Sequence, residues 1–334
     1  RGRRDQACKS LRTVALPASG GHGLGEGYAA GRLDAGGILL SGTELEYSER
    51  QAVVGAARAR LYLILTAVGY STMGAAFKFV DWNPLVISAA EKMFAFFCLG
   101  IARGSFKMRF SRPVLLGAIC SYACTTCFVA ANKLTTAANA IVLQYTNPMF
   151  VVLLSWLVLR RRAQRRDILL TAVLMGGIAL FFLDELSPGH LVGNLLALCS
   201  GILMAVNTLY ARYSGADVIE YGMVSCLLSV GIGAAAVITE PPVVTAVSLV
   251  AVVFLGVIST GIPMILFAKA APCTPPVETS ILLMLDPVLN PLLVALLVGE
   301  VPGPWALVGA AVVLGGVAAW CWNGRPKKNG KESA

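Results

Sequence analysis

The feature that most constrains the fold of this chain is an internal repeat at a fixed offset of 139 residues. Leu116-Gly117-Ala118-Ile119 returns, nearly unchanged, as Leu255-Gly256-Val257-Ile258. The same offset, without a gap, pairs Phe128 with Phe267, Ala131 with Ala270, Thr135 with Thr274, Leu143 with Leu282 and Pro148 with Pro287. Matched leucines are weak evidence in so apolar a chain, whereas matched prolines inside two apolar segments are strong evidence. The sequence therefore predicts a duplicated structural unit.

Composition assigns the duplicated unit to a membrane. Hydrophobic residues make up 57% and charged residues only 13% of the chain, which is about half the usual charged share of roughly 25%. Apolar runs of about 18 to 23 residues are long enough to span a bilayer as helices, and backbone groups in lipid must be satisfied within the helix. Ten such runs lie near 61–80, 84–102, 113–131, 137–159, 168–184, 190–211, 218–238, 246–269, 276–298 and 303–322.

These segments predict an all-α polytopic membrane protein in four parts. Residues 1–57 are a polar extension rich in Gly and Arg, expected to be disordered. Residues 60–184 and 188–322 form two five-helix repeats, and residues 323–334 form a basic tail. Because five is an odd number, equivalent helices of the two repeats run in opposite directions, which makes the repeats inverted.

Charge in the loops predicts the orientation. Basic residues cluster in alternate loops, at Arg103, Lys107, Arg109 and Arg112, at Arg160, Arg161, Arg162, Arg165 and Arg166, at Arg212, at Lys269, and at Arg325, Lys327, Lys328 and Lys331. Loops rich in Lys and Arg stay in the cytoplasm. We therefore expect both termini in the cytoplasm and the protein in the inner membrane of a bacterium.

Helices broken at matching places in duplicated halves are typical of secondary transporters, whose site lies at the repeat interface. Proline removes an N–H and releases a carbonyl one turn earlier, so Pro148 and Pro287 free the carbonyls of Gln144 and Leu283. Such carbonyls are tolerated where they line a wet cavity. Kinks that serve only packing and movement are the alternative.

Three motifs carry a family resemblance: the run from Thr135 to Pro148, the segment Ser280 to Pro287, and Gly299-Glu300 followed by Val-Pro-Gly-Pro-Trp305. In order, spacing and duplication they resemble the EamA-type transporters of the drug/metabolite transporter superfamily. The resemblance implies a ten-helix bundle that moves small organic metabolites, often amino acids and frequently outward. The chain departs from the family at two places. Trp-Gly is common in the first span of the family, and this chain has Met73-Gly74; an aromatic residue is common in the sixth span, and this chain has Met204-Ala205.

Polar residues inside the spans are the candidate substrate site, because ionisable groups in hydrocarbon are costly unless they face a cavity or a partner. Two helix breaks supply the main wall of this predicted site, and a structural ion pair or packing network is the alternative for the charged residues. The predicted site residues are Glu91, Lys92, Gln144, Tyr145, Asn147, Asp286 and Asn290, with Asn207 and Tyr210 as weaker candidates.

No metal or cofactor is predicted. Cys120, Cys124 and Cys127 match an iron–sulfur spacing, yet they lie in an apolar span where these positions share one helix face, so they are interpreted as small apolar residues. The expected partners are a small-molecule substrate and the lipid bilayer, with a homodimer left open and no nucleic acid.

The favoured function is secondary transport of a small polar metabolite, with export as the expected direction. A membrane-embedded enzyme or lipid-modifying protein, an ion channel and an exchanger of anionic metabolites are the alternatives. Neighbouring acidic and basic groups favour a zwitterion such as an amino acid, with anionic metabolites and lipophilic cations next. Asp286, and after it Glu91, is expected to carry the coupling proton, because a low dielectric disfavours a charged carboxylate.

Overall fold

The computed structural model describes residues 42–77, 79–158, 160, 164–183, 191–298 and 303–323. Contacts group the chain into two units, Arg1–Leu61 and Tyr62–Ala334. Of the first unit, only helical residues from Gly42 onward are described. Disorder is expected over residues 1–57, yet the residues from Gly42 onward are helical. Residues 1–41 lie outside the described residues, as do the predicted tail after residue 323, Lys78, Arg161 and Glu300.

The described residues are helical and contain no strand, which confirms the all-α prediction. Helices or pairs of helix segments occupy all ten predicted spans. The ten are Gly42–Ser71 with Met73–Phe77, Pro84–Arg103, Arg112–Leu134, Ala137–Gln144 with Asn147–Leu157, Arg165–Phe181, Leu191–Tyr213, Val218–Thr239, Ala246–Phe254 continued to Ala270, Pro276–Leu283 with Asp286–Val298, and Pro304–Asn323. They are numbered below as the first to the tenth span.

Seven helical segments in the described part of the chain are long and apolar enough to cross a membrane by length and composition alone. The fifth span falls short of that length, since Arg165–Phe181 has 17 residues, but a helix of about 17 residues still reaches across a bilayer core. The ninth span is divided by its break. Ten crossings in two repeats therefore fit the structure.

Local sequence determines where the second and seventh spans begin and where the second span ends. Asn83 accepts a hydrogen bond from Leu85 N at 3.0 Å with Pro84 in the first turn, which is a common way to start a helix. Asp217 starts the seventh span in the same way, accepting from Ile219 N at 3.0 Å. Gly104 ends the second span at φ 71°, a left-handed conformation that costs glycine little.

Close approach of backbones holds the spans together. Helix packing in lipid depends on small residues at the contact, because no difference in apolarity drives helices together there. A methyl group built on Gly193 would lie 2.6 Å from the carbonyl carbon of Leu134, and one built on Gly309 would lie 2.5 Å from Gly177 O. The third span thus packs on the sixth, and the fifth on the tenth.

Equivalent spans also meet across the two repeats. Among the described helices, the second and seventh spans form the most extensive contact, and the third span packs between the sixth and the seventh. Ala95, Leu99, Met223 and Cys226 form a buried cluster at this contact. The interface between the repeats is therefore formed by the middle of the bundle, where the predicted site lies.

Candidate functional site

The two helix breaks obey the 139-residue offset. In the fourth span one helix ends at Gln144 and the next begins at Asn147, and in the ninth span the corresponding residues are Leu283 and Asp286. At each break the turn tightens, since Thr146 N donates to Leu143 O at 3.3 Å and Leu285 N donates to Leu282 O at 3.4 Å. The predicted breaks are confirmed at both prolines, each of which lies in the first turn of the new helix, where a missing N–H costs little.

The breaks of the two repeats are joined by a direct hydrogen bond. The Tyr145 hydroxyl, at the first break, donates to Asp286 Oδ2, at the second. Tyr145 is buried and Asp286 is partly exposed. Two of the predicted site residues, 141 positions apart in sequence, thus form one contact at the repeat interface.

Asn147 adds an unpartnered amide beside this contact. It is 1% exposed, and neither Nδ2 nor Oδ1 makes a hydrogen bond to the described residues. The 139-residue offset pairs it with Asp286. Since buried polar groups are normally hydrogen-bonded, a fully buried amide with free donor and acceptor atoms is suited to bind a polar ligand or a water molecule.

Glu91 and Lys92 form an ion pair inside the bundle, with Lys92 Nζ 3.1 Å from Glu91 Oε1. The other carboxylate oxygen of Glu91 is buried and makes no hydrogen bond in the described part of the chain. Thr260 of the eighth span lies next to the Glu91 carboxyl group, and its Oγ1 is likewise buried. One Glu91 oxygen, Oε1, is therefore paired with Lys92, and the other, Oε2, has no hydrogen-bond partner among the described residues.

Thr260 lies in a π-helical turn, Leu255–Gly261, which sequence reasoning missed. Such turns are rare and often occur at functional sites. Pro263 follows it and lacks the N–H that a regular helix would use there. The signal that could have revealed this turn is the run Ser259-Thr260-Gly261 two residues before the proline.

A cavity of about 110 Å³ lies between the two repeats, with residues of both repeats in its wall. Two of its wall residues carry buried oxygens without hydrogen-bond partners among the described residues, Asn207 Oδ1 and Tyr221 Oη. Tyr70 also lines it and is within electrostatic range of both Asp286 and Glu91. The lining is formed by Tyr70, Leu99, Ser121, Met204, Asn207, Thr208, Val218, Tyr221, Gly222, Met264, Phe267 and Leu283.

Three predicted site residues take part in helix packing. Gln144 Nε2 donates to Ser200 Oγ at 2.7 Å, and the Tyr210 hydroxyl donates to Pro113 O at 2.7 Å. The Asn290 amide lies against the backbone of Gly74. A methyl added to Gly74 would come 1.9 Å from Asn290 Oδ1. Of the nine predicted site residues, Asn207 lines the cavity and the other eight do not. The roles of all nine in substrate binding stay predictions.

The released carbonyl of Gln144 lies against the sixth span. A methyl built on Gly201 of that span would lie 2.8 Å from Gln144 O, so glycine lets the neighbouring helix approach this carbonyl closely. The expectation that the carbonyl lines a wet cavity stays a prediction. Leu283, at the corresponding position of the ninth span, does line the cavity.

The described residues contain no group of three His, Cys, Asp or Glu side chains that could hold a metal ion. Cys124 lies against Ser200, with its thiol 3.4 Å from Ser200 O, and Cys120 lies 3.5 Å from Leu203 O. These thiols pack the third span against the sixth.

Comparison with known proteins decides the family. The EamA-like transporter family matches the chain twice, over residues 57–183 and 191–320. The chain belongs to the EamA-like transporter family. It is accordingly a membrane protein of a transporter family, with one family unit in each repeat.

A solved structure, titled only "Crystal structure of protein", has the same architecture as this EamA-like chain. It superposes with a TM-score of 0.70 over 81% of this chain and 99% of its own, at 21% sequence identity. At this identity the likeness shows the fold alone. No curated protein matches the chain in sequence at a significant level.

Proposed function

We propose that this EamA-like protein is a secondary transporter that exports small polar organic metabolites, amino acids foremost, by alternating access. In this proposal the two five-helix repeats rock around the cavity between them, as in other transporters built from inverted repeats. It is a transporter and not an enzyme, in the inner membrane of a bacterium with both termini in the cytoplasm.

The observation that carries the proposal is the hydrogen bond between Tyr145 and Asp286. It ties the broken helix of one repeat to that of the other beside a buried, unpartnered Asn147. A contact between two helix breaks changes when the repeats move, and a ligand bound there competes for the same polar atoms. Binding and movement are thereby coupled at one place.

The charged residues inside the bundle, none of which lines the cavity itself, support a zwitterionic substrate. Asp286 and Glu91 offer carboxylates for an ammonium group, and Lys92 offers an ammonium for a carboxylate. Asn207 Oδ1 and Tyr221 Oη provide neutral hydrogen-bonding atoms in the wall. The cavity of about 110 Å³ is smaller than the roughly 300 to 1,000 Å³ typical of pockets for drug-sized ligands, which favours a small metabolite.

Lys92 also supports a second candidate, an exchanger of anionic metabolites. Its Nζ pairs with Glu91 alone among the described acidic side chains, so an anionic substrate that replaces Glu91 would find one ammonium group. A zwitterion uses the acidic residues as well, and for that reason we place it first.

The coupling ion in the proposal is a proton carried by Asp286. A carboxyl group that alternates between a tyrosine hydroxyl and a substrate ammonium can take up a proton when the substrate leaves. Glu91, whose Oε2 lacks a partner in the described part of the chain, is the second candidate for this role.

The experiment that tests the function is efflux from proteoliposomes loaded with an equimolar mixture of the common amino acids. The full chain is reconstituted, and the external amino acids are measured by mass spectrometry against protein-free liposomes. Faster release of one or a few amino acids supports the proposal. A second set of liposomes is loaded with small organic anions. Release of neither the amino acids nor the anions removes both transport candidates.

A further inference from the structure

The second and seventh spans occupy equivalent places in the two repeats, pack against each other and are tied together at both of their ends. One tie lies where the second span ends and the seventh begins, and the other where the seventh ends and the second begins. Each tie joins a residue of one repeat to a residue of the other.

The first tie is an ion-pair cluster, called here the Arg103 latch. Arg103, the last residue of the second span, places Nη2 2.7 Å from Glu220 Oε2 and Nε 3.4 Å from Asp217 Oδ2. The backbone N–H of Arg109 donates to the other oxygen of Glu220. Asp217 is also the residue that caps the seventh span, so the latch holds the start of that span.

The second tie is a pair of hydrogen bonds, called here the Asn83 latch. Asn83, which caps the second span, donates from Nδ2 to Glu240 Oε2 at 2.6 Å. Its neighbour Trp82 donates from Nε1 to Val243 O at 2.8 Å. Glu240 is the C-cap of the seventh span, so the capping residue of one span again contacts the end of the other.

Inverted repeats give these ties opposite positions. The two spans run in opposite directions, so the Arg103 latch lies at the end of the bundle with the basic loops and the Asn83 latch at the opposite end. The second and seventh spans can separate at either end of the bundle only if the latch at that end is released.

We propose that the Arg103 and Asn83 latches are the two gates of the transport cycle, and that the Asn83 latch opens first in the substrate-free protein. The inference rests on the alternating-access function proposed above. It adds the residues that close each end and the order in which the ends open.

The order follows from the burial and charge of the two latches. The Arg103 and Glu220 side chains are 15% and 6% exposed, and Glu220 is satisfied on both oxygens. Breaking a buried pair leaves an uncompensated charge in a poor solvent, which is costly. Glu240 and Asn83 meet at an exposed contact, where water replaces the lost hydrogen bond at little cost.

The test measures the distance between two spin labels, one on each repeat, at each end of the bundle. The method is double electron–electron resonance spectroscopy in lipid nanodiscs. Spin labels are attached through p-acetylphenylalanine, so that the native cysteines stay in place. One pair of labels at Lys107 and Ser214 reports on the Arg103 latch, and another at Asp81 and Val244 reports on the Asn83 latch. In the otherwise unmodified protein, we expect a broad distance distribution at the Asp81–Val244 pair and a narrow one at the other pair.

Each latch has a variant that releases it and a variant that tests the cause. Glu220→Gln should broaden the Lys107–Ser214 distribution, whereas Arg112→Ala, which removes a basic residue near the same loop, should not. Asn83→Asp keeps the capping oxygen but places two carboxylates together, and should shift the Asp81–Val244 distribution to longer distances. Asn83→Asp with Glu240→Gln exchanges donor and acceptor, and should restore it.

The proposal is overturned if Glu220→Gln and Asn83→Asp leave both distributions unchanged, or if each variant broadens both ends equally. A narrow Asp81–Val244 distribution with a broad Lys107–Ser214 distribution would reverse the order of opening. If Glu220→Gln does not fold, Arg103→Lys gives the same test with the charge retained. If the protein transports amino acids but the latch variants do not change the label distances, the latches alone are rejected. If the variants change the distances but the protein transports no amino acid, the proposed function alone is rejected.

Discussion

Tyr145 donates its hydroxyl hydrogen to Asp286 Oδ2, and this hydrogen bond connects the helix breaks of the two repeats. The two residues come from different repeats and do not correspond under the 139-residue offset, which pairs Tyr145 with Met284 and Asp286 with Asn147. The site is therefore asymmetric, although the helices that carry it are duplicated. One break supplies a phenol and an amide, and the other supplies a carboxylate.

Removal of the phenol hydroxyl should slow transport. A hydrogen bond to a charged group contributes about 1.5 to 3 kcal/mol, so Tyr145→Phe is expected to lower the efflux rate about tenfold or more while leaving the amount of folded protein in the membrane unchanged. Tyr122→Phe, a matched change at a residue away from the central cavity, is the control. Equal rates for Tyr145→Phe and wild type would mean that the bond serves packing only.

The unpartnered oxygen of Asn207 should contribute to substrate affinity. If it accepts one hydrogen bond from the substrate, worth ~1 kcal/mol, Asn207→Leu should raise the KM of efflux about fivefold with little change in the maximal rate. Ser229→Ala is the control, because the Ser229 hydroxyl bonds to Ser225 O one turn earlier in its own helix. A KM that is unchanged in Asn207→Leu would remove this residue from the site.

Glycine at the contact between the fifth and tenth spans should be required for stability. A methyl on Gly309 would meet Gly177 O and Phe181 N at 2.5 Å, whereas one on Gly315 of the same helix meets nothing within 4 Å. Gly309→Ala is expected to lower the free energy of unfolding by about 1 to 3 kcal/mol, and Gly315→Ala to leave it nearly unchanged. Thermal unfolding in detergent measures both, and similar midpoints would contradict the packing.

The orientation of the bundle can be tested from outside the cell. Loops with many basic residues are retained in the cytoplasm, so a cysteine placed at Gln164 should resist a membrane-impermeant maleimide in intact cells, and one placed at Asp81 should react. Both positions are exposed. The opposite labelling pattern would invert the topology and the expected direction of export.

The sequence predicted the helices and both breaks, because apolar run length and proline position act locally along the chain. It also placed Tyr145, Asn147 and Asp286 in the candidate site. It could not predict that Gln144 and Asn290 turn toward neighbouring helices, because the rotation of each helix about its axis is set by packing against glycines far away in sequence. The latches were missed for a similar reason, since each joins an end of one span to an end of another more than 100 positions away.

Tyr70, Tyr221 and Thr260 were missed as site residues. A tyrosine or a threonine in an apolar span is common and shows no local pattern. Tyr70 and Tyr221 are distinguished by the cavity that they line, and Thr260 by its place next to Glu91. For Tyr221 the deciding observation is a buried hydroxyl without a hydrogen-bond partner among the described residues.

The measurement that tests the account most directly compares wild type with Asp286→Asn and Asp286→Glu in the amino acid efflux assay, with and without an imposed proton gradient. Because Asn cannot take up a proton, Asp286→Asn should insert and fold normally yet lose the part of the flux that responds to the gradient. Asp286→Glu should retain some of it. Wild-type rates and an unchanged pH dependence in Asp286→Asn would contradict the account, since coupling would then reside in Glu91 or be absent.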